Sequence, residues 1–237
     1  MKNLDLSTCD ILISGGILID GTGADRKKAD IAISSDRIIA IGNLKNFDAK
    51  KEIDARGLVV APGFIDVHTH DDNLLFQDSD VTPKTSQGVT TVVVGNCGIS
   101  LAPLTIKETS PPPPLDLLGS AKDFRFKKFS DYLHALDETP PAANSVSLIG
   151  HSTIRLATMS DVDRPANANE IAQMQHLIEE AMDSGATGLS TGLIYGPNKA
   201  APTDEIIALA EVVSSKNGIY VTHMRNEGDN IDKSLDE

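Results

Sequence analysis

The sequence predicts an α/β protein in which a small sheet precedes a layer of parallel strands and helices, and three observations carry that prediction. The first sixty residues fall into short runs that alternate apolar with polar, the period of a twisted antiparallel sheet with one wet face. From about residue 58, apolar runs of four to six residues alternate with helix-period segments, as buried parallel strands and their crossover helices do. Five such runs occur, and each is followed by polar residues capable of chemistry, the habit of the carboxyl edge of an α/β sheet, whether barrel or open.

Taken in order, Asp10–Leu18 (DILISGGIL) is strand interrupted by Gly15-Gly16, and Asp20-Gly21-Thr22-Gly23 is a turn. Ala29–Ser34 alternates, Ser35-Asp36 turns the chain, Arg37–Ile41 follows, and Gly57–Val60 continues the pattern. In the second part the apolar runs are Phe64–Val67, Thr91–Val94, Val146–Ile149, Ala186–Leu189 and Gly218–Val221. Asn169–Ser184 opens on Asn-Glu and closes before Gly185, as a capped helix does; Thr203–Ser215 opens on Thr-Asp-Glu and stops at Asn217-Gly218. A roughly thirty-residue connection follows Cys97 and contains Ser110–Pro114 (SPPPP), where polyproline geometry is expected. A connection of that length is either a functional rim or a disordered excursion.

Composition narrows the partners. The 237 residues carry 21 Lys and Arg against 34 Asp and Glu, a formal charge of -13 that repels phosphate backbones and anionic lipid, so neither nucleic acid nor membrane is expected as a partner. A 40% hydrophobic content is enough for a packed core. Two cysteines far apart exclude a disulfide-stapled scaffold. The N-terminal MKNLDLSTCDILISGG lacks the features of a secretory signal, and no stretch approaches the roughly 20 apolar residues of a membrane span, so a cytoplasmic location is expected.

The densest chemical signal is Phe64-Ile65-Asp66-Val67-His68-Thr69-His70-Asp71-Asp72. On a strand, His68 and His70 project from one face and can grip one cation, with neutral imidazole suiting zinc; the plainer alternative is a pair of surface polar residues. Asp66 shares their parity and either supports a ligand imidazole or lies deeper. Cys97, bracketed by Gly95 and Gly98 at a strand end, is a thiolate ligand or a small buried hydrophobe, and its position favours the ligand. His223 ends another buried strand, with Arg225 and Glu227 beside it. His151 either faces the site or is a hydrogen-bonded structural histidine; His134 and His176 read as solvated, and Cys9, placed before the first strand, carries no signal. Tyr195, on a glycine-flanked loop, either packs or touches substrate.

These segments together resemble the amidohydrolase superfamily and, within it, the N-acyl-D-amino-acid deacylases (D-aminoacylases). The superfamily resemblance rests on Ile11–Gly16, Asp20–Gly23, Ala29–Ile31, Asp36–Ile38, Ala40–Gly42, Ile53–Ala55 and Pro62–Asp66 running into His68-Thr69-His70. The deacylase resemblance rests on Gly88–Gly98, Gly150-His151, Gly188–Leu193 and Thr222–Arg225. It implies a TIM-type (β/α) barrel carrying zinc at its C-terminal face and flanked by a β-sandwich, with His68, His70, Cys97 and His223 as metal residues. The strand-four run Ala186–Thr191 has no lysine, which argues against the dihydroorotase and hydantoinase arrangement.

From residue 58 onward there are roughly 180 residues, against about 250 for an eight-stranded barrel. The expected architecture is therefore an incomplete barrel: a β-sandwich segment over residues 1–57 and five βα units over 58–237. The further metal histidine and the catalytic aspartate implied by the resemblance lie beyond Glu237, so no catalytic residue is assigned. The expected activity of the complete protein is zinc-dependent hydrolysis of the amide of N-acyl-D-amino acids. The rival expectation is a truncated, inactive fragment that at most binds metal. Five strands cannot close a barrel, so apolar surface is expected on the runs holding Val92, Val94, Ile149, Leu189 and Val221.

Overall fold

The computed structural model describes residues 8–107 and 110–237, and its contacts divide the chain into one unit ending at Gly63 and a second spanning Phe64–Glu237. In the first unit the strands are β1 (Thr8–Ser14), β2 (Ile17–Leu18), β3 (Lys27–Lys28), β4 (Asp30–Ser34), β5 (Arg37–Gly42), β6 (Asp48–Asp54) and β7 (Val59–Val60). They form a four-stranded sheet in the order β5-β4-β1-β6 and a three-stranded sheet in the order β3-β2-β7. The purely antiparallel sheet expected from the sequence is thus corrected. β1 pairs parallel with β6, and β2 parallel with β7, because the chain returns beside each strand only after a long excursion. β6 reads Asp-Ala-Lys-Lys-Glu-Ile-Asp, a charged edge strand that apolar alternation does not reveal. Val59–Val60 pairs with β2, so the first unit runs past the expected boundary at Gly57. Leu18, Ala29 and Ile31 form a small core there with Ile13, Ile33 and Val60. Cys9 lies buried within β1, one residue into the strand.

The second unit is built on β8 (Phe64–Asp66) and β9 (Val89–Val94), then an antiparallel pair of β10 (Leu104–Thr105) with β11 (Arg125–Phe126), then β12 (Asn144–Gly150), β13 (Gly188–Gly192) and β14 (Ile219–His223). The main sheet runs β8-β9-β12-β13-β14 in chain order, and every neighbouring pair is parallel. This is the α/β arrangement that the five apolar runs predict. Helices occupy the crossovers: α1 (Leu74–Gln77), α2 (Thr82–Thr85), α3 (Phe129–Glu138), α4 (His151–Thr158), α5 (Ala168–Ser184), α6 (Gly196–Lys199) and α7 (Thr203–Ser215); α8 (Ile231–Asp236) follows β14.

Local chemistry sets the longer helices. α5 starts at a capping box: the Asn167 side chain accepts the N–H groups of Asn169 and Glu170, while the Glu170 carboxylate accepts the Asn167 N–H. The cap thus precedes the Asn-Glu signal by two residues, and the helix stops at Gly185 in the left-handed region (φ 116°). α7 has the bounds the sequence predicts. The connection after Cys97 is not an excursion, since Ile99, Leu101, Leu115, Leu118, Phe124 and Phe126 all enter the main core. The proline run closes in a turn, with the Leu115 N–H bonded to Pro112 O at 2.8 Å. Positions 108–109 of this connection lie outside the described residues.

Burial falls off from the centre of the sheet to its edges. Every residue of β13 is buried, whereas β8 and β14 are largely exposed. Val92, Val94, Ile149 and Leu189 are therefore covered, contrary to the expectation that they are bared, and Val221 is half-buried. The uncovered apolar side chains are instead Phe64, Ile65 and Val67 at one end of the sheet and Ile219 and Tyr220 at the other. Helices and the core residues of the connection after Cys97 cover the central strands, while among the described residues each edge strand has a partner on one side alone. Among the described residues no helix is long and apolar enough to cross a membrane.

Candidate metal centre

Three strand ends converge on one place. β8 stops at Asp66, so His68 and His70 stand on the loop beyond it and strand parity is not what aims them. What aims them is the buried Thr69 between, whose N–H and Oγ1 both donate to Val93 O, at 3.1 and 2.9 Å. That anchor turns the two imidazoles outward from a fixed point, with ring centroids 5.6 Å apart. His68, His70 and Cys97 each offer a ligand atom, and these atoms all lie within 4.8 Å of one another.

Cys97 reaches this point on a strained turn at φ 54°, between Gly95 and Gly98, both also at positive φ. A Cβ on Gly95 would stand 2.0 Å from Leu148 O, so glycine is required for the loop to lie against β12. Ser190, from β13, fastens the loop: its buried Oγ donates to Gly95 O and accepts the Gly98 N–H at 2.9 Å. The Asp72 carboxylate accepts the Gly95 N–H at 3.3 Å, tying the His-Thr-His loop to the cysteine loop. Cys97 Sγ lies 3.1 Å from His68 Nε2 and 3.8 Å from His223 Nδ1, and so stands between the histidine pair and β14. His223 is outside the three-residue cluster; its Nδ1 is 3.1 Å from the Tyr195 hydroxyl and its Nε2 is 3.3 Å from the exposed Glu227 carboxylate.

Electrostatics at the loop ends suit a cation. Burial lowers the His70 pKa, with neighbouring His68 adding to the effect and Asp71 opposing it, so the imidazole is neutral and its lone pair free. Burial pushes the Cys97 thiol up despite a hydrogen bond with Tyr195, so the sulfur becomes a thiolate only against a positive charge. His70 Nδ1 is buried without a hydrogen-bond partner among the described residues. Two imidazoles and a thiol are the donors that zinc and other borderline metals take in preference to magnesium or calcium.

The remaining candidates have other partners. His151 is fully buried at the first turn of α4, with Nε2 2.9 Å from Glu205 Oε1, and is the structural histidine of the two readings. Glu205, from α7, also pairs with Arg155 through the same oxygen and accepts the Ala166 N–H through the other at 3.1 Å. Arg155 binds the carbonyls of Pro197, Val162 and Arg164 as well. Thr191 bonds Thr222 and Tyr220 across β13 and β14. His134 and His176 stand on α3 and α5, away from the cluster. The sequence reading missed Lys84, whose ammonium lies 2.8 Å from Asp66 and 3.1 Å from Asp71. It also missed the Arg155–Glu205 pair, although Arg155 stands four residues after a flagged histidine and Glu205 in the helix-opening Thr-Asp-Glu.

Residues 51–233 match the model of an amidohydrolase family. Over 237 residues the chain is 53% identical to a D-aminoacylase of Alcaligenes xylosoxydans xylosoxydans, covering all of this chain and 49% of that protein. A crystal structure of D-aminoacylase superposes with a TM-score of 0.93 at 52% identity, over 96% of this chain and 48% of the other. The N-acyl-D-glutamate deacylase of Bordetella bronchiseptica, solved with zinc and a phosphonate mimic of the tetrahedral intermediate, gives 0.90 at 42% identity over 97% of this chain and 48% of the other. The chain spans about half the length of the curated relatives it matches.

Proposed function

The chain belongs to the amidohydrolase family, and from that premise we propose that it forms the metal-binding half of a zinc-dependent hydrolase that cleaves the amide of N-acyl-D-amino acids. The observation that carries the reading is the convergence of His68, His70 and Cys97 from two neighbouring strand ends, with His223 on the far side of the thiol. The N-acyl-D-amino-acid substrate is taken from the relatives, whose names specify aminoacylase, aspartate deacylase and glutamate deacylase activities. The first unit's two small sheets are read as part of a β-sandwich, and the two free cysteines accord with a cytoplasmic location.

His68, His70, Cys97 and His223 would hold the metal, which supplies Lewis-acid polarisation of the acyl carbonyl and acidification of the attacking water. The chain's own part is to hold those four groups ready. Thr69 fixes the imidazole pair, and Ser190 with Asp72 fixes the cysteine loop. Tyr195 keeps its hydroxyl beside His223, where it orients that imidazole and presents a polar group to substrate. No residue of this chain is assigned the acid–base step. For the 237 residues alone a second reading therefore applies, metal binding without turnover, supported by the share of the relatives that the chain covers. Absence of a general base by itself costs about 10²–10⁴ in rate.

Zinc content after dialysis tests the site. Cys97→Ala is expected to lose the tightly held metal, while His134→Ala, on α3 and away from the cluster, retains it. Equal zinc in Cys97→Ala and the parent removes the ligand assignment. Chelator-sensitive hydrolysis of an N-acyl-D-amino acid by the 237-residue chain, surviving repurification, removes the second reading.

A further inference from the structure

Lys84 bridges the two flanks of the histidine loop. It projects from α2, the second short helix after the loop, and its side chain is 21% exposed. Its ammonium lies 2.8 Å from Asp66 Oδ2 and 3.1 Å from Asp71 Oδ2. Asp66 is the last residue of β8 and also accepts the His68 N–H through its other oxygen, at a long 3.4 Å. Asp71 directly follows His70. One cation thus joins the residue before Val67-His68-Thr69-His70 to the residue after it, like a staple across the base of the loop.

The consequence is electrostatic as well as geometric. Two carboxylates held this close repel each other unless a positive charge stands between them. They also flank two imidazoles, where a free carboxylate is a competing oxygen ligand. The ammonium donates a hydrogen bond to Asp66 and faces Asp71 as an ion pair, so it offsets the charge of both carboxylates, and having no acceptor it cannot itself bind a metal. We propose that Lys84 is a positioning residue for the metal centre: by engaging Asp66 and Asp71 it holds His68 and His70 in their converged arrangement and keeps the two carboxylates out of the ligand set. The proposal rests on the reading that His68, His70 and Cys97 hold a metal.

Cobalt(II) titration of the full 237-residue chain, followed through the thiolate-to-cobalt charge-transfer absorption, separates the two claims. The parent is expected to give a saturable band that is absent in Cys97→Ala. Lys84→Met, which keeps the apolar stem and removes the charge, is expected to bind cobalt about 10–100-fold more weakly, as substitutions behind a ligand commonly do. Lys84→Arg retains a cation with a fork wide enough for two carboxylates and is expected to recover most of the affinity. No Cys97-dependent band in the parent overturns the metal reading and this proposal with it. A band in the parent, with Lys84→Met binding as tightly or more tightly, overturns the role of Lys84 alone. A Lys84→Met chain that has lost the metal-free melting transition also counts against it, because Lys84 then holds the fold and not the ligands.

Discussion

Replacing Glu205 with Gln removes one charge from the most deeply buried ion pair among the described residues, and its cost follows from the partners. Glu205, Arg155 and His151 have at most 1% of their surface exposed. One carboxylate oxygen receives His151 and Arg155, and the other receives the Ala166 N–H. An amide has one acceptor and one donor end, so either Arg155 or the Ala166 N–H is left facing an N–H group. Arg155 also loses the carboxylate it touches directly, and breaking a buried pair in this way costs about 3–5 kcal/mol. For a unit of this size each kcal/mol moves the melting temperature by roughly 2–4 °C, giving an expected drop of about 6–20 °C at neutral pH.

The pH dependence has a definite sign. Burial works to raise the Glu205 carboxyl, but hydrogen bonds from His151 and Arg155 outweigh it and hold the group well below the usual carboxylate range. A carboxyl lowered on folding contributes stability above its unfolded pKa, near 4.5, and loses it as pH falls through the folded value. The gap between parent and Glu205→Gln is therefore expected to be widest near pH 7 and to narrow steadily below about pH 4.5. Tyrosine fluorescence is the natural probe, since the chain has no tryptophan and all three tyrosines lie in the second unit. A drop under about 2 °C at pH 7, or a gap that does not change with pH, would refute the assignment of a stabilising buried carboxylate.

Ser190→Ala strips the Gly95 carbonyl and the Gly98 N–H of their shared partner; at about 1–3 kcal/mol for each buried group left unsatisfied, the second unit is expected to melt several degrees lower. The same variant is expected to weaken cobalt binding through the loosened Cys97 loop, and parent-like melting and affinity together would rule out Ser190 as its fastening. The exposed Phe64, Ile65, Val67, Ile219 and Tyr220 are expected to make the 237-residue chain bind a hydrophobic dye and scatter light. Ile65→Lys with Ile219→Lys should lower both signals, and a dye-silent parent monomer would show that these edges are covered in solution.

The legible parts of this protein are those governed by nearest neighbours in sequence. All five runs of the main sheet became strands in chain order, because a short apolar run with turns on both sides has few other places to go. α7 kept its bounds for the same reason. The convergence of His68, His70 and Cys97 was also foreshadowed, since strand ends of a parallel sheet share one edge. The pairing of β6 was not legible: its Lys50, Lys51 and Glu52 speak for solvent, and only the returning chain makes it a strand. Nor was the direction of His151. Its neighbours Gly150 and Ser152 gave no hint that α4 begins at that residue and turns it toward Glu205, 54 positions away. Lys84 was invisible because its two partners matter only once the loop has folded back over α2.

The residues around Cys97 Sγ come from far-separated stretches of chain, 29 positions to His68 and 126 to His223. Such a junction is non-local in the sense that governs folding rates, since long loops must close before it exists. A cation held there would act as a late-arriving clasp, unavailable to the early part of a growing polypeptide and selective for the folded state. Its binding would then be felt across the whole second unit as an added free energy of RT ln(1 + [M]/Kd). Depriving cells of the metal would lower the abundance of the protein, through turnover of the unclasped chain, as well as any activity it carries.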